Sequence, residues 1–379
     1  MKVLVGLSGG VDSAIAAFLL KEQGYHVTCA FMRNWDSLTN RDILGNPTLD
    51  EAICTQEQDY NDAKAVAEKL DLPLLRVDFI SEYWDEVFET FLSEYKKGRT
   101  PNPDILCNRY IKFSHFLNFA KENGFTTVAT GHYARTIQKE NITYLAKARD
   151  LNKDQSYFLA EINKDVLPNI LFPLGNLTKP EVRKIALDLD LTIAKKKDST
   201  GICFIGERNF REFLSNYLPM KKGNIINIEN NKIVGEHQGV LYYTIGQRKG
   251  LNIGGIGPFY VVGKNVETNE LYVCDEEHIQ WLYTDACIVS GVNDMCAYKT
   301  PKKVHAKFRY RQADQEVIIN RIDSNTLKVQ YPQGIKGVTP GQEAVFYDED
   351  ILIAGGVIEN VYHQGIDRME EINHKRNGK

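Results

Sequence analysis

The chain opens on its strongest constraint. The apolar run Val3-Leu4-Val5-Gly6-Leu7 leads without a break into Ser8-Gly9-Gly10-Val11-Asp12-Ser13. An apolar run, a glycine-rich turn and a helical pattern read as strand, phosphate-binding loop and helix. Val11, Ile15, Phe18 and Leu19 fall on one helical face, and Gly24 supplies the stop. Gly9 and Gly10 let backbone N–H groups approach an anion, and the helix start adds positive partial charge. Ser8 and Ser13 add hydroxyl donors, and Asp12 is the candidate ligand for a magnesium ion on the phosphates.

The loop lacks the Lys-Ser/Thr of a Walker A motif and the third glycine of a dinucleotide fingerprint. It resembles the phosphate loop of the ATP pyrophosphatase (PP-loop) superfamily. That resemblance implies ATP used to adenylate a carbonyl oxygen with release of pyrophosphate, and leaves the target open.

Downstream, strands are expected at His26–Phe31, Leu72–Phe79 and Thr126–Thr130, alternating with helical spacing at Ala63, Val66, Ala67 and Leu70 and at Phe113, Phe116, Leu117 and Ala120. The Trp84, Val87, Phe88, Phe91, Leu92, Tyr95 stripe reads as core. The alternation over residues 1–150 predicts an α/β domain with a parallel, Rossmann-like sheet covered on both faces. Ligands of such sheets sit beyond the carboxyl ends of the strands, where Gly131 and His132 fall. Residues 33–55 lack a period and read as a long functional loop. Beyond residue 206 the texture becomes short and β-like. The expected division is a catalytic domain at 1–205, a small central α+β domain at 206–278, a C-terminal β-barrel at 279–365 and a polar tail at 366–379.

With 379 residues and no apolar run long enough to span a bilayer, the chain reads as a multidomain protein without a membrane partner. Met1 leads directly into the first strand, and seven cysteines without regular spacing suit a reducing compartment, so a cytoplasmic location is expected. No Cys-x-x-Cys pair suggests structural zinc. A net charge of −4 argues against indiscriminate nucleic-acid binding. Yet residues 299–336 carry nine Lys/Arg against three acids, a local +6 that suits a specific polyanion as well as a solvated β surface.

Two cysteines stand apart by context. Cys107 follows Pro101-Asn102-Pro103-Asp104 at an expected helix start, and Cys203 lies in a glycine-flanked loop after Lys195-Lys196-Lys197. Both settings are electropositive and predict lowered thiol pKa values. Cys29, Cys274 and Cys287 read as buried and inert, and Cys54 and Cys296 lie in polar stretches.

Taken in order, SGGVDS at 8–13, TPNPDILCN at 100–108, TGHYAR at 130–135, KDQSYFL at 153–159, DSTGICFIGERNF at 198–210, YTIGQRKGL at 243–251 and FRYRQ at 308–312 resemble the tRNA-specific 2-thiouridylases. Asn252 and the 36–56 loop depart from the pattern without touching these motifs. The resemblance implies an ATP-dependent sulfurtransferase, a monomer, acting on the wobble uridine of tRNA through its anticodon arm. It assigns Gly6, Leu7, Ser8, Gly9, Gly10, Val11, Asp12, Ser13, Met32 and Gly131 to ATP, with Mg2+ on Asp12. It assigns the persulfide to Cys203 and the second thiol to Cys107, with a transient 107–203 disulfide and Asp104 beside them, the sulfur arriving from a persulfide-carrying donor protein. Asn102, Pro103, Asp104, His132, Lys153, Asp154, Gln155, Arg309, Tyr310 and Gln342 are expected to meet tRNA, with the target base flipped into a pocket. Three alternatives stay open: an amide-forming PP-loop synthetase, an RNA-binding protein without activity, and a variant in which Asp104, Cys107 and Cys203 hold an iron–sulfur cluster.

Overall fold

The computed structural model describes residues 1–379 except 48–54, 199–200, 204, 206–207, 255–256 and 379. The expectation for Cys54, and those parts of the 36–56 loop and the 198–210 motif, lie outside the described residues.

A five-stranded sheet carries the N-terminal domain. Its strands are β1 (Lys2–Gly6), β2 (His26–Arg33), β3 (Leu74–Asp78), β4 (Thr127–Ala129) and, after an intervening hairpin, β7 (Ile170–Leu171). The order β3-β2-β1-β4-β7 is parallel throughout, with β1 central and Val3, Leu4 and Val5 wholly buried. Such continuous apolar runs are what a sheet covered on both faces requires. The first helix, α1 (Val11–Glu22), is buried more widely than one stripe. Ala14, Ile15, Ala16, Ala17 and Leu20 are all enclosed, while Phe18 and Leu19 sit half-buried. The alanines let the helix lie close to its neighbours on two sides, so its buried face is wider than the bulky residues alone suggest.

Two long helices are not regular. Ile80–Glu82 runs into a π-helical stretch at Tyr83–Phe88 and continues as Glu89–Lys96. Pro103–Leu106 runs into a second one at Cys107–His115, kinked at Phe113 (φ −113°, ψ 16°), and continues as Phe116–Glu122. π-Turns concentrate at functional sites because they rotate side chains out of the α-helical register.

The parallel pattern is interrupted before residue 150 and resumes only at β7. Residues Ala134–Lys139 and Ile142–Lys147, β5 and β6, form an antiparallel hairpin that leaves the parallel sheet and joins the C-terminal one. A central four-stranded sheet follows, of β8 (Gly223–Asn227), β9 (Ile233–His237), β10 (Tyr260–Asn265) and β11 (Glu270–Cys274). The C-terminal strands are β12 (Tyr283–Asp294), β13 (Lys302–Lys307), β14 (Gln315–Asp323), β15 (Thr326–Lys336), β16 (Glu343–Asp348) and β17 (Ile351–His363). They run β12-β15-β14-β13-β16-β17, and β17 pairs back to β12, closing a six-stranded barrel. Inward residues such as Val289, Ile319, Val329, Tyr331 and Phe346 fill it. β6 extends this sheet, its Ala146 pairing with Ile351 on β17. The tail is ordered: Arg368–Arg376 is a helix capped by Asp367, whose carboxylate accepts from the Met369 and Glu370 N–H groups.

Candidate active site

The loop after β1 is knitted by its own hydroxyls. Ser13 Oγ accepts from the Ser8 N–H at 3.1 Å and donates to the Gly10 carbonyl at 3.1 Å. No side chain caps the start of α1, so its first N–H groups face the space beyond β1. Gly9 has φ +73°, and a Cβ there would lie 2.3 Å from the Asp59 carbonyl oxygen. Gly6 is packed by Met32 Cε and Phe116, so a Cβ there would sit 3.1 Å from the methyl and 3.6 Å from the ring. Met32 thus supports the loop as a wall.

Asp12 does not sit open to a cation. Both carboxylate oxygens are 2.8 Å from Lys179 Nζ, and Tyr133 Oη donates to Oδ1 at 2.9 Å. Lys179 also bonds Asp198 at 2.8 Å, which Lys153 (2.7 Å) and Arg183 (2.9 Å) share. Against the opposing effect of burial, Lys153 and Lys179 hold the Asp198 carboxyl down to about 2. On the other side of the loop Lys196 bonds the Gly9 carbonyl at 3.2 Å, Asp59 at 2.8 Å and Asp62 at 2.6 Å. The loop is therefore ringed by Lys179, Lys196, Lys153 and Arg183, a setting for phosphates. A magnesium ion at Asp12 would share the carboxylate with the Lys179 ammonium and the Tyr133 hydroxyl. Among the described residues no group of three or more His, Cys, Asp or Glu side chains gathers as a metal site.

The two singled-out cysteines meet. Cys107 Sγ lies 3.7 Å from Cys203 Sγ and donates to it, although 96 residues separate them. The turn bearing Cys203 is held from both sides of its peptide: its N–H donates to Asp104 Oδ1 at 3.1 Å and its carbonyl accepts from Tyr83 Oη at 2.9 Å. Asn102 caps the helix, accepting from the Asp104 N–H at 3.1 Å, with Pro103 as first helical residue. The thiols differ sharply. Burial, and then its bond to Cys203, push the Cys107 thiol well above the ordinary range. The hydrogen bond from Cys107, and Lys112 beyond it, pull the Cys203 thiol down despite burial. The expectation of two lowered values is corrected for Cys107, which sits inside the helix, enclosed by apolar side chains, rather than at an exposed helix start. Cys29, Cys274 and Cys287 are buried with thiols pushed up to about 12.

The turn Thr130–Tyr133 connects loop and thiols. Gly131 packs on α1, where a Cβ would lie 2.7 Å from the Ser13 nitrogen. Its neighbour His132 faces the other way, Nε2 lying 3.5 Å from Lys112 Nζ and Nδ1 2.8 Å from Thr130 Oγ1. Lys112, Lys179, Lys196 and Tyr83 were not legible as site residues. Each is far in sequence from what it serves, and Lys112 also depends on the π-turn.

Several residues expected to meet tRNA are bonded within the protein. Asp154 is 2% exposed and accepts from the Ala148 and Ser156 N–H groups and the Ser156 hydroxyl. Gln155 Oε1 accepts from the Tyr133 N–H at 2.9 Å. His132 is buried against Phe113 and Phe172. Arg309 donates to the Ile245 carbonyl at 2.7 Å and to Thr339 Oγ1 at 2.8 Å. Tyr310 packs on Phe158 with ring centroids 4.3 Å apart. Gln342 donates to the Thr100 carbonyl at 2.5 Å, just ahead of the Cys107 helix. Of these, Tyr310 and Gln342 dock the barrel onto the catalytic domain, and Arg309 ties it to the central domain. The +6 segment is also offset by acids from elsewhere: Lys302 pairs with Asp348, Lys307 with Asp154, and Arg321 with Asp294.

Family models described as the tRNA methyl transferase HUP domain, the tRNA methyl transferase PRC-barrel domain and the aminomethyltransferase beta-barrel domain match residues 1–207, 211–275 and 277–358. The tRNA-specific 2-thiouridylase MnmA of Mycoplasma capricolum is 55% identical over 370 residues, covering 95% of this chain and 99% of the relative. That of Mycoplasmopsis synoviae is 55% identical over 362 residues, covering 95% and 96%. A solved structure, NMN synthetase from Francisella tularensis, superposes with TM-score 0.30 and 21% identity over 52% of this chain and 66% of that one, too loosely to carry an argument. With the loop, the paired thiols and this likeness along nearly its whole length, the chain belongs to the tRNA-specific 2-thiouridylase family.

Proposed function

We propose that this protein replaces the C2 oxygen of the wobble uridine of tRNA by sulfur, using ATP. The observation that carries the reading is the 3.7 Å approach of Cys107 to Cys203, joined by one short turn to an ATP-type loop. A uracil C2 carbonyl is a poor electrophile. Transfer of AMP to O2, with pyrophosphate leaving, turns that oxygen into a leaving group. The Ser8–Ser13 backbone, the start of α1 and the surrounding lysines suit the phosphates.

Sulfur enters as a Cys203 persulfide loaded by a donor protein, the lowered Cys203 pKa favouring the thiolate that accepts it. The terminal sulfur attacks C2 and AMP departs. Cys107, as thiolate, then attacks Cys203 Sγ. The Sγ–S bond to the product breaks, its electrons stay on the product sulfur as the thiocarbonyl forms, and a Cys107–Cys203 disulfide remains for an external thiol to reduce. Asp104 holds the Cys203 peptide through its N–H. No step is routed through a magnesium ion or a cluster.

An open groove of about 650 Å³ runs beside the Cys107 helix to the barrel, lined by Arg109, Asn118, Lys121, Asn293 and Asn325 among others. Its cations and amides suit an RNA backbone, and with Lys153 and the Asn102–Asp104 turn they are the tRNA surface of this reading. Purified protein incubated with tRNA, ATP and a persulfide donor should yield a wobble nucleoside in which one oxygen has been exchanged for sulfur, detected by mass. A methylated nucleoside, or none, overturns the reading. Turnover that survives Cys107→Ser together with Cys203→Ser would point to an amide-forming adenylating enzyme.

A further inference from the structure

We infer that Lys112, oriented by His132, is the positioning residue that makes Cys203 rather than Cys107 the sulfur-carrying thiolate; the inference rests on the thiolation reading above. Lys112 is five residues after Cys107. In an α-helix, at 3.6 residues per turn, the two would point about 140° apart. The π-turn Cys107–His115, with its i→i+5 bonding, places residues five apart on one face. The ammonium thereby comes to the thiol pair.

His132 fixes its direction. An ammonium can only donate, so His132 Nε2, 3.5 Å from Lys112 Nζ, is the acceptor. The ring proton then resides on Nδ1 and is donated to Thr130 Oγ1 at 2.8 Å. Phe113 and Phe172 hold the ring plane, with centroids 5.9 and 6.2 Å away. A neutral His132 is what this relay needs, and burial followed by the Lys112 charge holds its pKa well below the ordinary value. The groups facing Cys203 are Cys107, Asp104, Tyr83 and Lys112. Cys107 donates its hydrogen to Cys203, and Lys112 adds the balancing charge, so the pair shares one proton with the negative charge on Cys203. Lys112 stays protonated: burial alone would lower its pKa, but Cys203, Cys107 and Asp104 raise it.

The test is the pH profile of Cys203 alkylation by iodoacetamide, mapped by mass on the full chain, in wild type, Lys112→Met, Lys112→Arg and His132→Gln. Lys112→Met should shift the Cys203 midpoint upward and slow alkylation at neutral pH by about tenfold or more. Lys112→Arg should retain the low midpoint, and His132→Gln should fall between. A Lys112→Met protein that binds ATP and alkylates with the wild-type profile overturns the inference. If Lys112→Met does not fold, Lys112→Arg and His132→Gln decide: a high midpoint in the arginine variant, or a wild-type profile in the glutamine variant, overturns it equally. The readout needs no tRNA, so failure of wild type to thiolate sinks the functional reading while the alkylation profile still reports on Lys112.

Discussion

Cys107 lies wholly enclosed beside a half-buried Cys203, and one hydrogen bond between them raises one thiol and lowers the other. Replacing Cys203 by Ala should abolish tRNA thiolation while ATP affinity, measured by nucleotide titration, stays within about threefold, because the side chain lost is a nucleophile and touches no part of the loop. Normal thiolation by that variant removes the mechanism. Both cysteines were legible in the chain as motif residues, one after Pro-Asn-Pro-Asp and one between glycines. Their unequal acidity was not. It depends on Cys107 being enclosed by side chains from several elements, and on a lysine brought round by a helix whose period is not 3.6.

At the scale of the elements, the site is a meeting of turns. Gly131 makes a tight contact among them, backbone against backbone at the start of α1. Gly131→Ala must move either the turn or the phosphate loop, and should cost about 1–3 kcal/mol of stability together with a rise in the KM for ATP. Thermal melts and ATP-dependent pyrophosphate release check both. The Asp198 hub makes a second element-scale prediction. Its carboxyl is lowered in the folded state to about 2 from an ordinary 3.8, so the folded protein binds that proton less readily than the unfolded chain. The stability it contributes is present above pH 4 and is lost as pH falls towards 2. Urea midpoints should drop over that window less in Asp198→Asn than in wild type. The strand–loop–helix opening and the later strands were readable from local pattern. The 134–147 hairpin was not, because strands look alike whichever sheet they join.

Across the whole molecule, the residues expected to grip RNA act as fasteners between domains. Arg309 has two neutral acceptors, Ile245 in the central domain and Thr339 in the barrel, and Gln342 reaches Thr100 in the catalytic domain. Arg309→Ala should therefore lower stability by about 1–2 kcal/mol for two lost bonds. It should leave the salt dependence of tRNA binding unchanged, whereas loss of a phosphate contact reduces the slope of log K against log salt by about 1. A reduced slope with an unchanged melting temperature would return Arg309 to the RNA surface. Sequence reading could not show the seam bonds these residues make, because an arginine at a domain seam and one on phosphate leave the same letter.

The hairpin 134–147 also sets an order in time. Its strand β6 meets β17 through Ala146 and Ile351, so the earlier half of that contact leaves the ribosome about 200 residues before its mate. At ordinary elongation rates of 5–20 residues per second that is an interval of roughly 10–40 s. During it Lys147, which ends buried against Asp314 on a later segment, has no such neighbour to receive it. Synthesis thus leaves a strand edge waiting beside a parallel sheet whose strands have already emerged, and the arrival of β17, rather than closure of the catalytic sheet, is the event that covers it.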